Sequence, residues 1–275
     1  MRLTDRDRAI LSAVARHRFL TTSLVLALIP GSRQNISRRL QGLFHSGFLD
    51  RPRAQLPLRY SGELSDFVYC LTGKTDAGRG YKPVTSLFLA HALMVSEALI
   101  RIEAECRVRG ERFISENVIL SRIKGPTAQR RIQWRVTVKI ESANEHIGII
   151  PDAAFAIDRV ETNGVSRRLY YFLEADRGTM PINRKSLRLS SIRRKALAYL
   201  RTRKTRSLQE SHGIPGFQVL FVAHSHERLL RMKEVCDNAK GGHHTSLFVF
   251  TTLDELRRNE FTFILGGRLA PTSVI

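Results

Sequence analysis

Apolar residues in the first part of the chain recur every three or four positions, the spacing of one helix face, and each run begins at a hydroxyl side chain. Ile10, Leu11, Val14 and Ala15 follow Thr4, residues 24–29 follow Thr21-Thr22-Ser23, and Ile36, Leu40, Leu43 and Phe44 follow Ser32. Asp7, three residues after Thr4, completes a capping-box pattern, and Pro30-Gly31 stops the second run and turns the chain. The pattern predicts three helices, the third carrying Arg33, Gln34, Arg38 and Arg39 opposite its apolar stripe. Residues 47–51 and 67–74 then read as two strands joined by a long basic loop with Arg53 and Arg59. Residues 75–83 are polar and contain Gly78 and Gly80, so a domain boundary is expected at 82/83, giving domains 1–82 and 83–275.

Beyond that boundary the apolar density rises. Residues 85–109 predict a well-buried helix of the second core, with His91, Glu97 and Glu103 as its polar members. Residues 113–120 read as a strand, 125–131 as a basic loop, and 132–140 alternate as a half-buried strand does. Two more strands are expected near 148–157 and 169–175, with Asn163-Gly164 as the turn between them. Residues 187–200 predict a helix with Leu189, Ile192, Leu197 and Leu200 toward a sheet and Arg193, Arg194 and Lys195 elsewhere. Residues 217–223 are too apolar for an edge strand, and a helix at 227–240 and a strand at 245–250 follow. This order indicates an α/β sandwich with a mixed sheet.

Charge changes the picture more than composition does. The 275 residues are 43% apolar, enough for a buried core in two domains, but 45 Lys and Arg against 25 Asp and Glu give +20 and a pI near 10.9. That excess points to a polyanionic partner, nucleic acid ahead of an anionic membrane. Residues 1–60 hold eleven Arg against three acids, and residues 177–206 hold eleven Lys or Arg and no acid. Helix, turn and a second helix with a basic and amide face form an arrangement that enters a major groove, and the strands after them read as the wing of a winged helix. Cys70, Cys106 and Cys236 lack any metal-binding or disulfide spacing and are expected to be buried thiols. The charged start and the lack of an eighteen-residue apolar run lead to a cytoplasmic expectation with no membrane partner. No nucleophile elbow surrounds Ser225 and His226, no phosphate-binding or dinucleotide glycine motif is present, and Gly241-Gly242-His243-His244 reads as a loop.

The remaining chemistry lies in three acids. Asp152 and Glu174 sit at the ends of neighbouring predicted strands, and a period of two sends Glu174 and Asp176 to one face, so the three can converge. Burying carboxylates is costly without a compensating cation, and oxygen ligands of this kind suit Mg²⁺ acting on a phosphodiester. Pro151-Asp152 and Glu174-Ala175-Asp176 resemble the PD-(D/E)XK nuclease superfamily. That resemblance implies a restriction-endonuclease-like α/β sandwich, a catalytic set of Asp152, Glu174, Asp176 and Lys195, and metal held by Asp152, Glu174, Asp176 and Glu97. The last position is Asp176 in place of lysine, and Lys185 or Lys195 on the following helix is where a displaced lysine would stand.

With the winged helix in front, I-P-D-A-x-F, F-L-E-A-D-R-G-T-M-P, S-x-x-R-K-x-x-x-Y and V-L-F-V resemble the replication-relaxation family over roughly residues 4–235. This implies a DNA-binding accessory protein of plasmid or mobile-element replication initiation or mobilisation. Its partners would be double-stranded DNA and other plasmid replication or transfer proteins, and homodimers are common among winged helices. Arg33, Gln34, Arg38, Arg39, Arg53, Arg59, Arg177, Arg193 and Arg194 are the expected DNA contacts. Two other readings stay open: a Mg²⁺-dependent endonuclease that nicks DNA, and a winged-helix transcription regulator whose second domain senses a ligand or dimerises.

Overall fold

The computed structural model describes residues 2–74, 82–123, 131–140, 143–160, 166–184, 186, 188–243 and 245–260. Most of the expected linker, most of the basic loop at 125–131, the Asn163-Gly164 turn, Lys185 and His244 lie outside them. The chain divides into two compact units, Met1–Ala104 and Glu105–Ile275.

In the first unit α1 (Asp5–His17) begins where Thr4 and Asp7 cap each other's backbone, β1 (Leu20–Thr21) runs into α2 (Thr22–Leu28) under the Thr21 cap, and α3 (Arg33–His45) starts at Ser32. Ile10, Val14, Val25, Ile36, Leu40 and Leu43 are fully buried between them. β2 (Leu49–Asp50), α4 (Gln55–Tyr60) and β3 (Val68–Leu71) follow, and the three short strands pair antiparallel in the order β1-β3-β2. The stretch expected to be one open basic loop therefore contains a helix. Its cause is tertiary: the buried Gln55 amide accepts from Val68 N at 2.9 Å and donates to Val68 O at 3.3 Å, so a side chain extends the β3 ladder. α5 (Ser86–Val108) then contributes Leu89, Leu93 and Ile100 to this same core. That corrects its assignment to the second core, and the division between the units falls within this helix.

The second unit contains β4 (Arg112–Ser115), α6 (Glu116–Leu120), β5 (Trp134–Ile140), β6 (Ala143–Ile149), β7 (Ala153–Val160) and β8 (Ser166–Asp176). After them come α7 (Ile192–Thr205), α8 (Ser207–His212), β9 (Phe217–Ala223), α9 (His226–Ala239), β10 (Phe248–Thr252) and α10 (Leu253–Arg257). Five strands form a mixed sheet in the order β10-β9-β8-β7-β4, parallel from β10 to β8 and antiparallel beyond. Parallel β8 and β9 need a crossover, which α7 and α8 supply. Ala154, Phe172, Val219 and Phe221 from the sheet bury against Ile192, Ala196 and Tyr199 of α7 and Met232 and Cys236 of α9.

Three expectations change here. The strand expected at 148–157 is two strands, because β6 pairs with β5 as a separate hairpin and the chain breaks at residues 150–152 before β7. Residues 113–120 are strand only to Ser115, after which α6 turns away. Leu189 is 54% exposed and precedes α7, whose first turn is set by the Ser191 cap. Among the described residues no helix is long and apolar enough to cross a membrane.

Candidate nucleic-acid interface and a buried carboxylate cluster

The mixed sheet brings the expected acids together at one end. β8 alternates Phe172, Glu174 and Asp176 onto the face covered by α7 and α9, and Glu174 and Asp176 are only 2% and 5% exposed. Glu174 Oε2 accepts from Lys195 Nζ, and its Oε1 accepts from Tyr199 Oη at 2.5 Å. Lys195 and Tyr199 are four apart on α7, so both side chains fall over the same strand, which corrects the expectation that Lys195 faces away from the sheet: the buried Glu174 carboxylate draws its ammonium inward. Asp176 is gripped by the Arg228 guanidinium of α9, with Nε to Oδ2 at 2.6 Å and Nη2 to Oδ1 at 3.2 Å, and Gly178 N donates to Oδ2 at 3.2 Å. Arg228 Nη2 also donates to Met180 O, which ties down the segment after β8.

Asp152 occupies the break before β7. Its N–H donates to Leu173 O at 3.1 Å and its Oδ2 accepts from Ala175 N at 2.9 Å, so backbone and side chain together continue the pairing with β8. Arg131 Nη2 caps the carbonyls of Pro151 and Asp152 at 2.7 and 3.0 Å. Glu116 of α6 accepts from Ile132 N at 2.7 Å, and burial raises its carboxyl above the usual range.

The electrostatics follow from this geometry. Burial pushes the Glu174 carboxyl up, and Lys195 opposes that shift. Burial also works against charge on Lys195, but Glu174, Asp152 and Asp176 more than offset it and hold the amine above its usual range. The pair therefore keeps its proton on Lys195. Tyr199 is raised well above ten by burial and the Glu174 charge and stays a neutral donor.

As arranged, these oxygens do not fit a divalent cation. Both oxygens of Glu174 and both of Asp176 are taken by resident donors, and Asp152 Oδ2 is bound to a backbone amide. Among the described residues no group of three or more His, Cys, Asp and Glu is placed to hold a metal. Glu97 belongs to the first unit, where Arg101 pairs with it at 3.7 Å. Tyr199, Arg228, Arg131 and Glu116 were not singled out from sequence as site residues. Tyr199 carried a signal in its spacing from Lys195, whereas nothing local marks Arg228.

The expected DNA contacts separate into exposed cations and cations committed within the fold. Arg39 reaches across to Asp7, which is fully buried and also accepts from Thr4 N and Thr4 Oγ1 at 2.7 Å. Arg33 pairs with Asp66 and donates to Ser23 Oγ at 3.1 Å. Gln34 and Arg38 are exposed, and with Gln41 and His45 they form one solvent-facing row along α3. Arg53 is exposed ahead of α4, while Arg59 lies 4.2 Å over the Phe67 ring and donates to Ser65 O at 3.1 Å. In the second unit Arg177, Arg193 and Arg194 are half-buried, and Arg193 donates to Arg184 O at 3.3 Å. Among the described residues of that basic segment the exposed cations are Arg188, Arg201, Arg203, Lys204 and Arg206, of which Arg203 donates to Phe217 O at 2.7 Å.

A mixed-sheet α/β unit with an ion-paired carboxylate cluster, preceded by a helical unit with a basic and amide face, defines the class of this protein. The model of the family described as replication-relaxation matches residues 11–216, about three quarters of the chain, and the chain belongs to that family. Comparisons with curated proteins and with solved structures gave no match.

Proposed function

We propose that this chain is a DNA-binding accessory protein of plasmid or mobile-element replication or relaxation. Family membership ties it to that process. In this reading the first unit is a winged helix with α3 as its reading helix, and the second is a nuclease-like scaffold that grips the phosphate backbone without cutting it. The observation that carries the reading is the exposed row Gln34, Arg38, Gln41 and His45 on a helix with no carboxylate of its own. Arg and Gln are the side chains that pair bidentately with guanine and adenine edges in a major groove. The cluster's topology supports the second half: Asp152 stands before β7, Glu174 and Asp176 end β8, and Lys195 reaches in from α7.

Fluorescence anisotropy with duplexes from a plasmid origin, a transfer origin and the chain's own promoter tests this reading. Arg38→Ala is expected to weaken binding by about 1–3 kcal/mol and to relax preference at one position. Unchanged affinity would remove α3 as the reading helix. Preference for the promoter fragment alone would favour a transcription regulator.

A further inference from the structure

We infer that Arg228 is the resident cation of the Asp176 side of the cluster, and that its guanidinium keeps a divalent metal out. The inference does not rest on DNA binding. Glu174 meets the Lys195 amine directly, and Asp152 and Asp176 add their negative charge to its surroundings. Lys195 satisfies Glu174, but a single ammonium cannot balance three acids. The second charge is Arg228, whose planar fork meets both oxygens of Asp176 through Nε and Nη2 while Nη2 also donates to Met180 O. Its own placement is fixed, because Arg228 N is held by the Ser225 cap at 3.3 Å at the start of α9.

Removing this guanidinium would leave Asp176, 5% exposed, with only the Gly178 amide as a described partner and with Asp152 and Glu174 nearby. A buried, under-compensated set of carboxylate oxygens is what a hard divalent cation binds. Arg228 thus supplies the countercharge from the chain itself, and only its removal would leave the Asp176 side short of a cation.

The probe is Mn²⁺ added to the metal-stripped full-length chain, with bound ion counted by electron paramagnetic resonance and the unfolding midpoint recorded with and without Mn²⁺. Wild type is expected to show no Asp152-dependent uptake and no midpoint shift. Arg228→Gln is expected to take up one Mn²⁺ per chain and to gain a few degrees from it, an effect abolished by adding Asp176→Asn. Arg228→Lys, which keeps the charge, should behave as wild type. Wild-type uptake that disappears in Asp152→Asn overturns the inference, as does a folded Arg228→Gln that takes up none. Should Arg228→Gln not fold, wild type and its Asp152→Asn control decide alone: uptake overturns it and no uptake supports it. Duplex binding measured in EDTA reads the DNA-binding proposal separately.

Discussion

Arg38 and Arg39 are chain neighbours, yet about 100° of helix rotation gives them different tasks. Arg39 compensates the fully buried carboxylate of Asp7, and Arg39→Ala should cost about 2 kcal/mol in denaturant unfolding of the first unit. That lies below the roughly 3–5 kcal/mol of a fully buried pair, because the Arg39 side chain is 28% exposed. Arg38→Ala should leave stability within about 0.5 kcal/mol and act only on DNA affinity. Equal stability losses in the two variants would show that the exposed row on α3 is misassigned. His17 sets a pH dependence in the same unit. It is 9% exposed, its Nε2 accepts from Arg16 Nε at 3.0 Å, and burial followed by the Arg16 charge lowers its pKa from 6.5 to about 3. Between those values the unfolded state binds the extra proton, so stability falls as pH drops from 6.5 toward 3, by up to about 1.4 kcal/mol per unit. His17→Gln should flatten that slope in a pH series of denaturant melts; an unchanged slope would assign the acid sensitivity to other groups.

At the scale of elements, α7 is fastened to β8 by polar contacts inside an apolar interface. Lys195→Met should cost about 3–5 kcal/mol, because it strands the 2%-exposed Glu174 with only the Tyr199 hydroxyl. Adding Glu174→Gln should recover much of that loss in a double-mutant cycle, and additive losses would mean that the two groups do not act as a pair. What the sequence announced about the elements depended on how local their causes are. Thr4, Thr21 and Ser32 each accept a backbone N–H at a helix start, and those starts could be read directly; Ser191 and Ser225 do the same, but Ser191 lies inside a run that reads as helix from residue 187. α4 could not be, because it depends on Gln55 meeting Val68 across the sheet. Nor could the allegiance of α5, whose apolar residues surround much of its circumference and give no direction to its core. The break at residues 150–152 is held by the Asp152 carboxylate on Ala175 N, a bond between strands that no single-strand pattern encodes. The approach of Asp152, Glu174 and Asp176 followed from strand periodicity and spacing, but only the nuclease resemblance places Lys195 there, since the helical pattern turns it away from the sheet, and Arg228 enters from a helix far along the chain.

For the whole molecule, positive charge is shared by both units: fifteen Lys and Arg against eight acids in residues 1–104, and thirty against seventeen in residues 105–275. The cations that hold the fold together are not free to meet phosphate. Arg39, Lys195, Arg228, Arg168 and Arg33 are all committed to carboxylates. Binding strength should therefore follow the exposed cations and not the formal +20. If about six phosphates are engaged, the logarithm of the association constant should fall with the logarithm of salt concentration at a slope of about −5. Replacing Arg201, Lys204 and Arg206 by alanine should make that slope shallower by about 0.9 for each phosphate no longer neutralised, with little change in preference among sequences, because side chains on the backbone position a duplex without reading it. Arg38→Ala should do the opposite, changing preference more than slope if its partner is a base edge. A slope near zero for the wild type, or one unmoved by all three substitutions, would detach the basic segment after β8 from any role in holding DNA.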